Sequence, residues 1–141
     1  LEYTLTVSGT RLTMGVLSMG NPHAVMTVEN VQTAPVASLG ETIEGHPKFT
    51  DRVNVGFMQI LSRDEIKLRV FERGAGETLA CGTGACAAVV HGIRKNLLNN
   101  AVTVHLPGGK LSVTWEGTGT AAWLSGPTAS VFEGTINLQN R

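Results

Sequence analysis

Cysteine is scarce in this chain, with two in 141 residues. That is too few for a disulfide scaffold, and a reduced, cytoplasmic setting is expected. Charge of either sign is in short supply. Charged residues make up 16%, and eleven Lys+Arg cancel eleven Asp+Glu. Nucleic-acid binders and proteins that sit on anionic membranes carry a basic surplus, so neither partner is expected. Disordered tails need more charge and less apolar content than the 42% found here. Long hydrophobic runs are missing as well. The densest, Ala85 to Val90, has six residues, far short of the roughly 18 of a membrane span. No basic-then-apolar leader opens the chain. Proline is limited to five residues, and no repeat, linker or low-complexity tract divides the sequence. One domain over residues 1–141 is expected.

Glycine is what the chain has in excess, 17 residues or roughly 12% against a usual level of about 7%. In an ordered fold such glycines serve tight turns and close backbone approaches. Thr (16) and Val (15) are also abundant, as β-structure favours.

Alternation predicts strands over Tyr3–Val7, Leu12–Leu17, Ala24–Val28, Val53–Leu61 and Ile66–Phe71. Ser8-Gly9-Thr10 reads as a hairpin turn. Ser62-Arg63-Asp64-Glu65 reads as a second polar turn. Pro35 and Gly45 bracket a helix that ends at Glu44. A longer helix runs from Cys81 to about Leu98. Its first turns are apolar nearly all round, which predicts burial. Strands over Val102–Leu106, Leu111–Trp115, Ala121–Leu124 and Ser130 to about Ile136 close the chain. The expected class is α+β: a strongly bent, mostly antiparallel, barrel-like sheet wrapped around the helix that starts at Cys81. The helix after Pro35 packs outside.

The chemistry concentrates between Phe71 and Gly84. A strand ends in Glu72-Arg73, a glycine-rich loop follows, and Cys81 opens the buried helix. The first N–H groups of a helix lack partners and its N-terminus is positive. A thiol there ionises more easily than a free one, and the N–H groups of Gly82 and Thr83 can receive a carboxylate. The same position also suits a buried structural cysteine, and both readings stand on these residues alone. Cys86, five residues on, turns away by about 140° and reads as core. No metal is expected, since His23, His46, His91 and His105 form no close-spaced ligand pairs. Gly82-x-Gly84-x-x-Ala87 mimics a dinucleotide fingerprint but has no acid between Glu77 and Glu116 to hold a ribose. Gly109-Lys110-Leu111 is no phosphate loop. Asn54 is a polar residue in an apolar strand and needs partners. Gly20-Asn21-Pro22-His23 is a turn pair by itself.

Together these segments closely resemble the diaminopimelate epimerase family. The resemblance rests on Gly20-Asn21-Pro22-His23, Arg52-Val53-Asn54-Val55 and the run Glu72-Arg73-Gly74-Ala75-Gly76-Glu77-Thr78-Leu79-Ala80-Cys81-Gly82-Thr83-Gly84. It covers essentially the whole chain, but only the C-terminal half of such an enzyme. It implies interconversion of LL- and meso-diaminopimelate, for lysine and peptidoglycan synthesis, without pyridoxal phosphate or metal. Two cysteines, one from each of two similar domains, exchange the α-proton on opposite faces, and the whole enzyme commonly forms a homodimer. By this resemblance Cys81 is the acid/base of the second domain, and Glu72 and His23 tune the thiols. Asn21, Asn54, Glu72 and Arg73 hold the non-reacting end of the substrate. Gly82 and Thr83 hold the reacting carboxylate. The N-terminal domain with the partner cysteine is absent from the sequence, so the chain alone is expected to be inactive. Competing readings are a proline racemase or hydroxyproline epimerase relative, a Cys-His hydrolase using Cys81 and His23, and a non-catalytic binding domain.

Overall fold

A computed structural model describes residues 2–7 and 9–138. Strand β1 (Glu2–Val7) buries Leu5 and Val7 at period two and pairs antiparallel with β2 (Thr10–Ser18). Of the expected hairpin turn between them, Ser8 lies outside the described residues. Strand β2 pairs antiparallel with β3 (Pro22–Thr27), which then pairs parallel with β4 (Asn54–Ser62). A parallel pair needs a crossover, and α1 (Val36–Glu44) lies within it. Strand β5 (Glu65–Glu72) returns antiparallel to β4. Its outer edge is shared. The short β6 (Gly76–Thr78) pairs with the end of β5, and β7 (Ala101–Leu106) pairs parallel with its beginning. The second crossover carries α2 (Gly82–Arg94). Strands β8 (Gly109–Thr114) and β9 (Trp123–Ser125) extend the sheet antiparallel to its far edge.

The two helices cover opposite faces. Val25, Met58, Ile66, Leu68 and Val70 pack with Ala85, Cys86, Ala87, Ala88 and Val89 of α2. Ala24, Met26, Val55, Phe57 and Phe71 point the other way and pack with Val36 and Ile43 of α1. Strands from both ends of the sheet, β2 through β5 on one side and β8 and β9 on the other, touch α2. The sheet therefore bends around α2, as expected, and α1 lies outside. It stays open, with β1 and β9 at its edges among the described residues.

Two expectations need correction, and one strand was not foreseen. The helix from Cys81 stops at Arg94, not near Leu98. Asn96 adopts a left-handed φ of 56°, and the N–H groups of Asn96 and Leu97 return to the carbonyls of Ile93 and Gly92. That is a Schellman ending with asparagine in the place glycine more often takes. The apolar pair Leu97-Leu98 prolonged the sequence pattern past it. The strand expected over Ser130–Ile136 is not formed. Val131, Phe132 and Ile136 are 79–87% exposed, and no ladder among the described residues pairs with them. A strand has no stability without a partner. Finally, β6 escaped notice because three residues inside a glycine loop carry no alternation.

Candidate active site

Cys81 occupies the N-cap position of α2 with extended backbone, φ −137° and ψ 105°. Ser, Thr, Asp and Asn are the residues that cap helices through their side chains, and Cys81 makes no such cap bond. The first-turn N–H groups of Gly82 and Thr83 are thus left without intrahelical partners. A Cβ on Gly84 would sit 3.1 Å from Cys81 Sγ and 3.1 Å from Val70 Cγ2. Glycine there lets α2 start hard against β5 with the sulfur at its mouth.

Cys81 is 6% exposed. Burial pushes the Cys81 thiol up from its ordinary value; the Gly84 N–H and the Thr83 hydroxyl pull the other way, and the Glu72 carboxylate adds to the rise. This corrects the expectation of an easily ionised thiol. The helix terminus does favour the thiolate, but desolvation outweighs it. Cys81 therefore rests as a thiol near neutral pH. Cys86 is also a free, buried thiol raised by burial, and it lies within the α2 core as expected.

A hydrogen-bonded chain leads away from Cys81. Its sulfur lies 3.8 Å from Thr83 Oγ1. Thr83 Oγ1 accepts from Asn21 Nδ2 at 3.3 Å, and Asn21 Oδ1 accepts from His23 Nε2 at 3.0 Å. His23 is 1% exposed, and burial pushes its pKa down to about 4 against the opposing pull of Glu72. It is neutral above that pH. The connection from His23 to Cys81 runs through two other side chains, so the direct contact a Cys-His hydrolase requires is not made among the described residues.

A second group sits beside the first. His23 and Asn54 are neighbours across the parallel β3–β4 register. Asn54 is buried and answers its polarity with two bonds: Nδ2 donates to the Pro22 carbonyl at 3.1 Å, and Oδ1 accepts the Arg73 N–H at 3.0 Å. One N–H and one lone pair remain for other partners. The Arg73 side chain is exposed and donates Nη1 to the Asp51 carbonyl at 2.8 Å. Glu72 accepts a short bond from the Thr78 hydroxyl, so β6 holds its carboxylate beside the thiol. All eight residues singled out from the sequence, Asn21, His23, Asn54, Glu72, Arg73, Cys81, Gly82 and Thr83, gather at one end of the sheet.

Sequence reasoning missed Thr78 and Glu44. Glu44 closes the buried face of α1, with Val36, Gly40 and Ile43. An acid on that stripe was the available signal. Neither of the two large cavities, of about 560 and 540 Å³, is lined by any of the eight residues. His23, Asn54 and Cys81 are buried, Asn21, Glu72 and Gly82 half-buried, and Arg73 and Thr83 exposed, so the cluster reaches the surface at one edge. Among the described residues, no three His, Cys, Asp or Glu side chains are placed to hold a metal. Among the described residues, no helix is long and apolar enough to cross a membrane.

Comparison with known proteins shows the family. The family description "Diaminopimelate epimerase" matches residues 15–131. A diaminopimelate epimerase of Teredinibacter turnerae is 56% identical over 137 residues, covering 97% of this chain and 50% of that protein. One of Alkalilimnicola ehrlichii is 58% identical, covering 97% and 49%. The chain thus spans about half the length of the curated relatives it matches. Among solved structures, a phenazine biosynthesis protein of the PhzF family from Bacillus anthracis aligns with TM-score 0.57 at 16% identity, over 80% of this chain and 38% of that one. At that identity the likeness is one of fold. With the match over residues 15–131, the identities above 50% and the cysteine-mouthed helix in place, the chain belongs to the diaminopimelate epimerase family.

Proposed function

We propose that this chain is one half of a cofactor-independent epimerase that interconverts LL- and meso-diaminopimelate, with Cys81 as acid and base. The supporting observation is the Cys81 sulfur, buried at the mouth of α2 beside Gly84, Thr83 and Glu72. An amino-acid α-proton is weakly acidic, and its removal puts charge onto the carboxylate. The positive end of α2 and the N–H groups of Gly82 and Thr83 stabilise that charge where it develops. As a thiol, Cys81 delivers a proton to one face while a thiolate on the other face removes one. In the reverse direction Cys81 is the thiolate, stabilised by Gly84 N–H and Thr83. His23 and Glu72 tune the thiols. Asn21, Asn54, Glu72 and Arg73 hold the non-reacting end, with the planar guanidinium of Arg73 on the distal carboxylate.

The second cysteine belongs to the part of the protein beyond this chain. Two observations favour this: the relatives are twice as long, and Cys86 is packed in the core. The exposure of Arg73 and Thr83 fits the same reading, because a second domain closing over them excludes water and strengthens every charge interaction there. The chain alone is inactive, the whole enzyme is a homodimer, and it works in the reducing cytoplasm. No specific observation favours a racemase of cyclic amino acids or a binding domain.

Incubation with LL-diaminopimelate in deuterated water tests the reading. The complete protein should place one deuteron on the α-carbon of the epimerised product, and Cys81→Ala should abolish this. The chain alone should incorporate none. Robust α-deuteration by the chain alone would remove the two-cysteine requirement.

A further inference from the structure

The last turn of α1 carries a carboxylate that this mechanism does not use. Glu44 is 2% exposed. Its Oε1 accepts the Gly74 N–H at 2.9 Å, and its Oε2 pairs with Arg52 Nη2 at 2.7 Å. These two partners belong to the two turns that present the candidate substrate-end groups. Arg52 precedes Asn54 by two residues, and Gly74 follows Arg73. Both turns are bent into left-handed backbone, φ 57° at Arg52 and 74° at Gly74. For arginine that conformation is costly, so the surroundings must hold it.

The position of Glu44 follows from α1 itself. A Cβ on Gly40 would come within 2.6–2.9 Å of the Phe71 side chain, so glycine lets α1 press against the end of β5. Four residues later, about 6 Å along the axis on the same face, Glu44 reaches past Phe71 to the turn at Gly74. The turns are also joined by the Arg73 N–H to Asn54 and by Arg73 Nη1 to the Asp51 carbonyl. Among the described residues, Glu44 is the one side chain that bonds both turns from outside them.

We infer that Glu44 is a positioning residue: with Arg52 it clamps the turns 51–54 and 72–76 so that Asn54 and Arg73 present one fixed face to the distal end of the substrate. This rests on the proposed role of Arg73. Glu44 touches neither Cys81 nor the reacting carbon, so its loss weakens binding and spares the proton transfer. The salt bridge also ties up the Arg52 guanidinium, leaving that of Arg73 for an anionic substrate group.

The test uses the complete protein and four variants. Glu44→Gln keeps the shape and an acceptor for Gly74 but loses the ion pair. It should raise KM for LL-diaminopimelate about tenfold with kcat within about twofold. Arg52→Gly accepts the left-handed backbone without strain and removes the cation, so it should raise KM in the same direction. Arg52→Lys, which keeps a cation, should restore most of the affinity. Arg73→Ala should raise KM more than any of them. Amide hydrogen exchange gives a readout that needs no turnover: in Glu44→Gln, exchange at Arg73 and Gly74 should quicken about tenfold, with the middle of β4 unchanged. A fall in kcat at constant KM, or unchanged exchange at Arg73 and Gly74, overturns the clamp. Absence of turnover by the wild-type protein overturns the proposed function instead, and the exchange result then still decides the clamp.

Discussion

Asn21 Nδ2 donates to Thr83 Oγ1 at 3.3 Å across 62 residues of sequence. This bond joins the β2–β3 turn to the first turn of α2 and sets neutral His23 and the Cys81 thiol at the two ends of one polar chain. Thr83 has two duties here. It accepts from Asn21, and it eases ionisation of Cys81. Thr83→Val removes the hydroxyl and keeps the shape. The rate of Cys81 alkylation by iodoacetamide should then require higher pH than in the wild type. Thr83 is exposed, so unfolding in urea should change by no more than about 0.5 kcal/mol. An unshifted alkylation profile would show that the hydroxyl does not sense the sulfur.

Glu72 predicts the opposite shift. Its carboxylate holds the Cys81 thiol up. Glu72→Gln removes the charge, and the alkylation profile of Cys81 should move to lower pH. In the complete protein the same variant should lose activity, because Glu72 also binds and tunes. A variant that sharpens the nucleophile while losing turnover separates thiol reactivity from catalysis. A profile moving to higher pH would contradict the electrostatic assignment.

Histidine 23 makes stability depend on acid. Its folded pKa, about 4, lies below the ordinary 6.5. The unfolded chain therefore binds more protons between these values, and protonation favours unfolding. This contribution is fully present above about pH 6.5 and is lost as pH falls toward 4, to a total of up to about 3 kcal/mol. His91 is shifted the same way by burial, so wild type must be compared with His23→Gln. The difference in urea unfolding free energy between pH 7 and pH 4.5 should be smaller in the variant. Equal slopes would place the titration elsewhere.

Much of this site could be read from the sequence because its residues are contiguous in a specific run. Glu72 to Gly84 places an acid, a base, a glycine loop and a cysteine within one strand-to-helix passage. What could not be read was how buried each group becomes. The helix terminus at Cys81 was legible, yet the sign of its thiol shift depends on desolvation by side chains far away in sequence. Glu44 was hidden for a similar reason. Its partners, Arg52 and Gly74, meet it only after Gly40 has brought α1 against Phe71. The apolar residues Val131, Phe132 and Ile136 misled because alternation predicts a strand only where a neighbouring strand exists to receive it.

The end of α2 offers a test of packing that is independent of function. A Cβ on Gly92 would fall 2.3 Å from Leu98 Cδ1 and 2.7 Å from its Cγ. Leu98 is 2% exposed, and the N–H groups of Leu97 and Leu98 are bonded to the Gly92 carbonyl, so the side chain has little room to yield. Gly92→Ala gains about 1 kcal/mol of helix propensity. It loses about 1–3 kcal/mol to overpacking, and the net effect should be destabilising. Leu98→Ala alone should cost about 2–5 kcal/mol as a cavity. In the double variant the new methyl enters the space the leucine vacated. The two effects should therefore fall short of their sum by about 1 kcal/mol or more in urea unfolding. Additive losses would mean that Leu98 does not press on Gly92, and that the Schellman turn alone sets where α2 stops.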